Sequence, residues 1–105
     1  MVKVRQVGDW TLEDRLTAGG PAVVVLFHEA GKRAADIRRY EFRRVAAEHP
    51  QAQFLEVDLL ENPSLAPRYA IAVSPVVIVF VHGIEVARHV GAQLEETVGR
   101  VLGSC

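Results

Sequence analysis

The sequence has a single cysteine in 105 residues, and it is the last one, Cys105. No disulfide can form within the chain, and no second thiol is present for dithiol chemistry. An excess of one charge is missing too: twelve basic side chains stand against thirteen acidic ones, for a net charge of −1. Bulk electrostatics therefore favour neither a phosphate backbone nor an anionic membrane surface, and no nucleic-acid or membrane partner is expected. No apolar run approaches the roughly 18 residues that a spanning helix needs. The amino end, Met1-Val2-Lys3-Val4-Arg5, lacks the apolar core of a signal peptide, so a cytoplasmic location is expected. The four histidines, His28, His49, His82 and His89, form no i,i+4 pair, which argues against a bound metal. There is no repeat, linker or low-complexity segment.

What is present is an ordinary globular balance, with 50% hydrophobic and 24% charged residues, and one domain is expected over residues 1–105. Val2, Val4 and Gln6 alternate as in an edge strand. Asp9 and Thr11 are candidate caps for a short helix carrying Leu12 and Leu16, which stops before Gly19-Gly20-Pro21. Residues 22–27 and 76–81 are continuous apolar runs suited to strands covered on both faces. Residues 53–58 read as a third strand. Residues 34–49 contain neither Gly nor Pro and predict the longest helix, stopped by Pro50. A short helix over Leu65–Tyr69 follows the turn at Glu61-Asn62-Pro63-Ser64. His82-Gly83 turns into a strand over Val86–Val90, and Leu94, Val98, Val101 and Leu102 close the chain at helical spacing. The order β-α-β-α-β-α-β-β-α predicts an α/β domain: a mixed four- to five-stranded sheet with helices on both faces.

Several strings in this order resemble the thioredoxin family. They are Phe27 at the end of its strand, Val57-Asp58 with Glu61-Asn62-Pro63, and Ala66-Pro67-Arg68-Tyr69-Ala70-Ile71. Ser74-Pro75 and the strand to Phe80, His82-Gly83, and Val90-Gly91-Ala92 complete the set. The resemblance spans nearly the whole chain and implies a thioredoxin-like fold with a cis Ser74–Pro75 peptide. It also places Lys32-Arg33-Ala34-Ala35 where the family carries Cys-x-x-Cys. The family's buried aspartate falls on Leu26, its lysine neighbour on Glu56, the tryptophan ahead of the motif on His28, and the helix-kinking proline on Tyr40. Exchange needs an attacking thiolate and a resolving sulfur, so no dithiol oxidoreductase activity is expected.

The resemblance implies instead a non-catalytic, chaperone-like accessory module that binds a protein or an extended polypeptide along the Ser74–Pro75 edge, without a cofactor. Lys32 and Arg33, near a helix start, are candidate contacts. On the helix that follows, Ala34, Ala35, Phe42, Val45 and Ala46 share a core face with Arg38 inside its sector. Ile37 and Tyr40, edged by Arg44, fall on the far side with the composition of a protein interface. A homodimer through this helix is a further reading. The alternatives are a redox protein acting through Cys105 alone, glutathione-linked binding beside Pro75, and a hydrogenase-maturation-type thioredoxin-like protein. A KaiB-like relation, suggested by residues 57–66, ranks below these. His28 is expected to be a hydrogen-bonded loop histidine.

Overall fold

The apolar runs form the middle of the sheet because their backbone groups pair on both sides while their β-branched side chains fill both faces. The computed structural model describes residues 4–18, 22–91 and 94–103. Its elements are β1 (Val4–Gln6), α1 (Asp9–Ala18), β2 (Ala22–His28), α2 (Arg33–Glu48), β3 (Gln53–Asp58), α3 (Leu65–Arg68), β4 (Val76–Val81), β5 (Ile84–Val90) and α4 (Leu94–Gly103). The five strands lie in the order β1-β3-β2-β4-β5. β1 and β2 run parallel to β3, whereas β4 is antiparallel to β2 and β5 antiparallel to β4. The β2–β3 connection can be parallel because α2 supplies the crossover that such a pair requires. A register shift at Val79/Phe80 interrupts the β4–β5 ladder.

Strand alternation sorts the core into two layers. Val23, Val25 and Phe27 point to the side of Leu12 and Leu16 from α1 and Leu65 from α3. Val24 and Leu26 point to Phe42, Val45 and Ala46 from α2 and to Leu94, Val98 and Leu102 from α4. Phe42 meets Phe54 edge-on, with ring centroids 5.4 Å apart. Two expectations need correction. α1 already begins at Asp9, so Gly8 rather than Asp9 or Thr11 precedes the helix. Ala34 is exposed rather than on the core face, because the buried Ala35, Phe42, Val45 and Ala46 centre that face about 80° away at helical spacing.

The first half of α2 carries no large apolar side chain toward the sheet. Its attachment there is ionic. On β3, alternation sends Glu56 to the same side as Phe54, under α2, and the residue is fully buried. Arg39 Nε donates to Glu56 Oε1 at 3.2 Å, and Arg43 Nε donates to Oε2 at 3.1 Å. Arg43 Nη2 adds a third bond to Oε1 at 3.3 Å. Arg39 and Arg43 stand four apart, so both reach down from one stripe of the helix.

Removing both cations takes two guanidinium partners from a buried carboxylate, and breaking a buried ion pair from one side costs about 3–5 kcal/mol. Arg39→Ala with Arg43→Ala is therefore expected to lower unfolding free energy by about that amount in urea titrations. Glu56→Leu, which leaves two partly exposed guanidinium groups to water, should cost clearly less. Equal costs would show that the pair does not anchor the helix.

Candidate functional site

The ends of β2 and β3, the loops that follow them, and the segment leading into β4 enclose a groove of about 310 Å³. Its apolar lining includes Leu60, Pro63, Ala66, Ile71 and Val73, with Glu29 and Ser74 at one end. Leu60 and Val73 are each 59% exposed, so the groove presents open apolar surface.

The floor and walls are fixed by specific contacts. Asp58, the last residue of β3, accepts from the Leu60 amide at 3.0 Å and the Ala30 amide at 3.4 Å. One carboxylate thus ties together the loops after β2 and β3. Asn62 returns two hydrogen bonds, from its backbone amide and from Nδ2, to the Asp58 carbonyl at 3.0 and 3.1 Å. Just before the lining residues Ile71–Ser74, Tyr69 packs between Phe27 and Phe80 at centroid distances of 5.6 and 5.9 Å. Ala70 follows in the left-handed region at φ 53. Arg88, from β5, donates to the Tyr69 carbonyl at 2.7 Å and to the Ala70 carbonyl at 3.0 Å, while also pairing with Glu85. That cation holds the chain where it leaves α3.

The Ser74–Pro75 peptide is cis. Ser74 Oγ donates to Glu29 Oε1 at 3.0 Å, and Lys32 Nζ donates to the same oxygen at 2.7 Å. The bonds from Lys32 and Ser74 hold the Glu29 carboxyl below its ordinary range despite some desolvation. Lys32 and Ser74, proposed from sequence as contacts, are therefore brought together through Glu29, with Pro75 adjoining. Arg33, Ile37, Tyr40 and Arg44 are not part of this groove. They lie on the outward side of α2, where Ile37 is 48% and Tyr40 67% exposed. The Arg44 guanidinium carbon stands 5.9 Å from the Tyr40 ring centroid. Arg38 is half-buried and pairs with Glu41 at 3.1 Å.

His28 departs from expectation. It is the last residue of β2 rather than a loop residue, only 1% exposed, and neither ring nitrogen has a hydrogen-bond partner among the described residues. Strand alternation points it toward α2, on the side of Leu26 and Glu56. Burial lowers its pKa from 6.5, and Arg39 and Arg43 reinforce the shift while Glu56 and Asp58 oppose it. Sequence reasoning missed Glu29, Leu60 and Val73. It also missed the pairing of Glu56, although a lone acid in an apolar strand opposite an Arg-x-x-x-Arg helix was a usable signal.

The chain has one cysteine, so a Cys-x-x-Cys pair is absent, and Lys32-Arg33-Ala34-Ala35 occupy the cap and first turn of α2. Cys105 lies outside the described residues. Among those residues no group of three or more His, Cys, Asp or Glu side chains could hold a metal, and no helix is long and apolar enough to cross a membrane.

The architecture is the thioredoxin fold. Thioredoxin from Halobacterium salinarum, as a point mutant, superposes with a TM-score of 0.81 at 24% identity, covering 96% of this chain and 88% of that one. Chloroplastic thioredoxin z gives 0.84 at 18% identity, covering 99% and 95%. Plasmodium falciparum thioredoxin gives 0.83 at 16%, covering 96% and 98%. No protein-family model matches the sequence, and neither does any curated protein. The chain thus has a thioredoxin-like fold and lacks the dithiol pair.

A histidine whose folded-state pKa is depressed binds its proton more readily once unfolded, so stability falls as pH falls. The contribution is complete above about pH 6.5 and is lost as pH drops through that value toward the folded pKa. The melting temperature is expected to drop between pH 7.5 and pH 5.5, chosen as about one unit either side of an ordinary histidine. In His28→Phe most of that drop should disappear, and the variant should be as stable as the parent or more so at about pH 7, because no ring nitrogen is left unpaired. An unchanged pH dependence in the variant would assign the effect elsewhere.

Proposed function

We propose that this protein is a non-catalytic polypeptide-binding module, an accessory or chaperone-like domain whose docking edge is the groove between Leu60 and Val73. The observation that carries this reading is the pairing of open apolar side chains with a rigid polar end. Leu60 and Val73 flank the groove, and Ser74, Glu29 and Lys32 close it in a hydrogen-bonded chain. An extended peptide would bury alternate apolar side chains in the groove while its backbone meets the exposed residues 72 and 73, a recognition mode in which main-chain bonds give affinity and pockets give selectivity. The absence of a second cysteine supports binding without turnover, since disulfide exchange passes through a mixed disulfide that a second thiol must resolve.

A reduced, carboxymethylated lactalbumin, permanently unfolded and free of reactive thiols, is a suitable probe. Titrated into the labelled protein, it should shift amide resonances of residues 59–63 and 71–74, with and without reductant. Leu60→Asp and Val73→Asp should each weaken binding about tenfold or more, the scale of losing a buried apolar anchor, with little change in melting temperature. Shifts elsewhere, or binding indifferent to both substitutions, would overturn the assignment.

In a coupled insulin-reduction assay, turnover should stay at background. Turnover abolished by Cys105→Ser would show a monothiol activity instead.

A further inference from the structure

The outward face of α2 has an order that the groove does not use. Taking 100° per residue, Arg33, Ile37, Tyr40, Arg44 and Glu48 fall within about 80° of arc, centred opposite the buried Ala35, Phe42 and Ala46. The stripe is apolar and aromatic in the middle and charged at its ends, with Arg33 at the amino end and Glu48 at the carboxyl end. Among the described residues neither of these two makes an ion pair within the chain, although Lys32, Arg38, Arg39 and Arg43 all do. Ile37 and Tyr40 are exposed, and Arg44 already lies against the Tyr40 ring.

We propose that this stripe is a self-association surface, and that its occupant is α2 of a second copy of this chain, packed antiparallel about a twofold axis beside Tyr40. The charge order selects the arrangement. Positions that sum to 81 face one another in this register, so each Arg33 meets the other copy's Glu48 at both ends of the contact, and each Ile37 lies on the stem of the other copy's Arg44. The two Tyr40 rings meet at the axis. A parallel arrangement would instead set Arg33 against Arg33 and Glu48 against Glu48. The two charged positions are 15 residues apart, about 22 Å along the helix, so both ends stay in reach when the helices cross at a shallow angle of about 20°. A closed twofold contact of this kind presents the same patch on both copies. One helix pair covers less than the roughly 1,200 Å² of a standard stable interface, so the dimer is weak and forms with concentration.

Sedimentation equilibrium from about 10 µM to about 1 mM, the span of weak association, should show a monomer passing to a dimer. Arg33→Glu and Glu48→Arg, studied separately, each place like charges at both ends and should weaken association about tenfold or more. An equimolar mixture of the two variants restores both pairs and should associate as the parent does. Each reversal puts an acid at the start of α2 or a base at its end, which the helix dipole favours, so loss of the helix would not explain the result. Tyr40→Lys, at the axis, gives an independent readout and should abolish the dimer with the melting temperature nearly unchanged. A monomer at every concentration overturns the proposal and would leave the stripe to a different partner. A dimer indifferent to the reversals, or a mixture no better than its components, overturns it as well.

Discussion

The buried carboxylate of Glu56 is the constraint on which the position of α2 depends. A helix crossing a sheet normally docks by its apolar stripe, and the second half of α2 does so through Phe42, Val45 and Ala46. Its first half offers Ala35 and little else, and there Glu56 draws Arg39 and Arg43 down onto β3. Such a cluster is poor at adding stability, because the desolvation of the charges offsets much of their attraction. It is good at setting one geometry, since a guanidinium pair satisfies a carboxylate only in a narrow range of positions. The start of α2 is fixed as a result, and with it Lys32, whose bond to Glu29 joins it to Ser74 at the end of the groove.

His28 sits in the same layer and shows what that geometry costs. Both ring nitrogens are buried without partners among the described residues, while the nearest strong charges are committed to each other. Two arginines nearby oppose its protonation and two acids favour it, so burial decides the direction. The positions that the resemblance assigns to redox machinery hold a different set here: Leu26 is apolar, Glu56 is bound by two guanidinium groups, and the buried His28 has its pKa lowered below 6.5. None of the three can attack or resolve a disulfide.

The fold was legible because the strands announce themselves. Residues 22–27 and 76–81 are apolar on both faces, which only a central strand tolerates, and the Gly- and Pro-free stretch between Lys32 and Pro50 fits one crossover helix. The ends of elements were less legible. β5 starts at Ile84 rather than Val86, since a strand edge with exposed apolar residues has no clean alternation to read. The outward placement of Ile37, Tyr40 and Arg44 followed from helical spacing alone. The groove did not, because Leu60 and Val73 belong to irregular segments, where no period marks a residue as open or covered. His28 was misread for the opposite reason: the apolar run before it continues one residue further than its polarity suggests, and the sheet takes the imidazole in.

The contacts that shape the groove use no sulfur. Asp58 holds the amides of Ala30 and Leu60, Tyr69 is gripped by Phe27 and Phe80, Arg88 binds the carbonyls of residues 69 and 70, and Glu29 links Ser74 to Lys32. Each of these is a packing or hydrogen-bonding relation among residues that disulfide chemistry does not consume. At the start of α2, where the resemblance places two sulfurs, Lys32 joins the Glu29–Ser74 chain and Ala35 is buried. The groove keeps its shape through packing and hydrogen bonds alone, with no sulfur among the residues that line it.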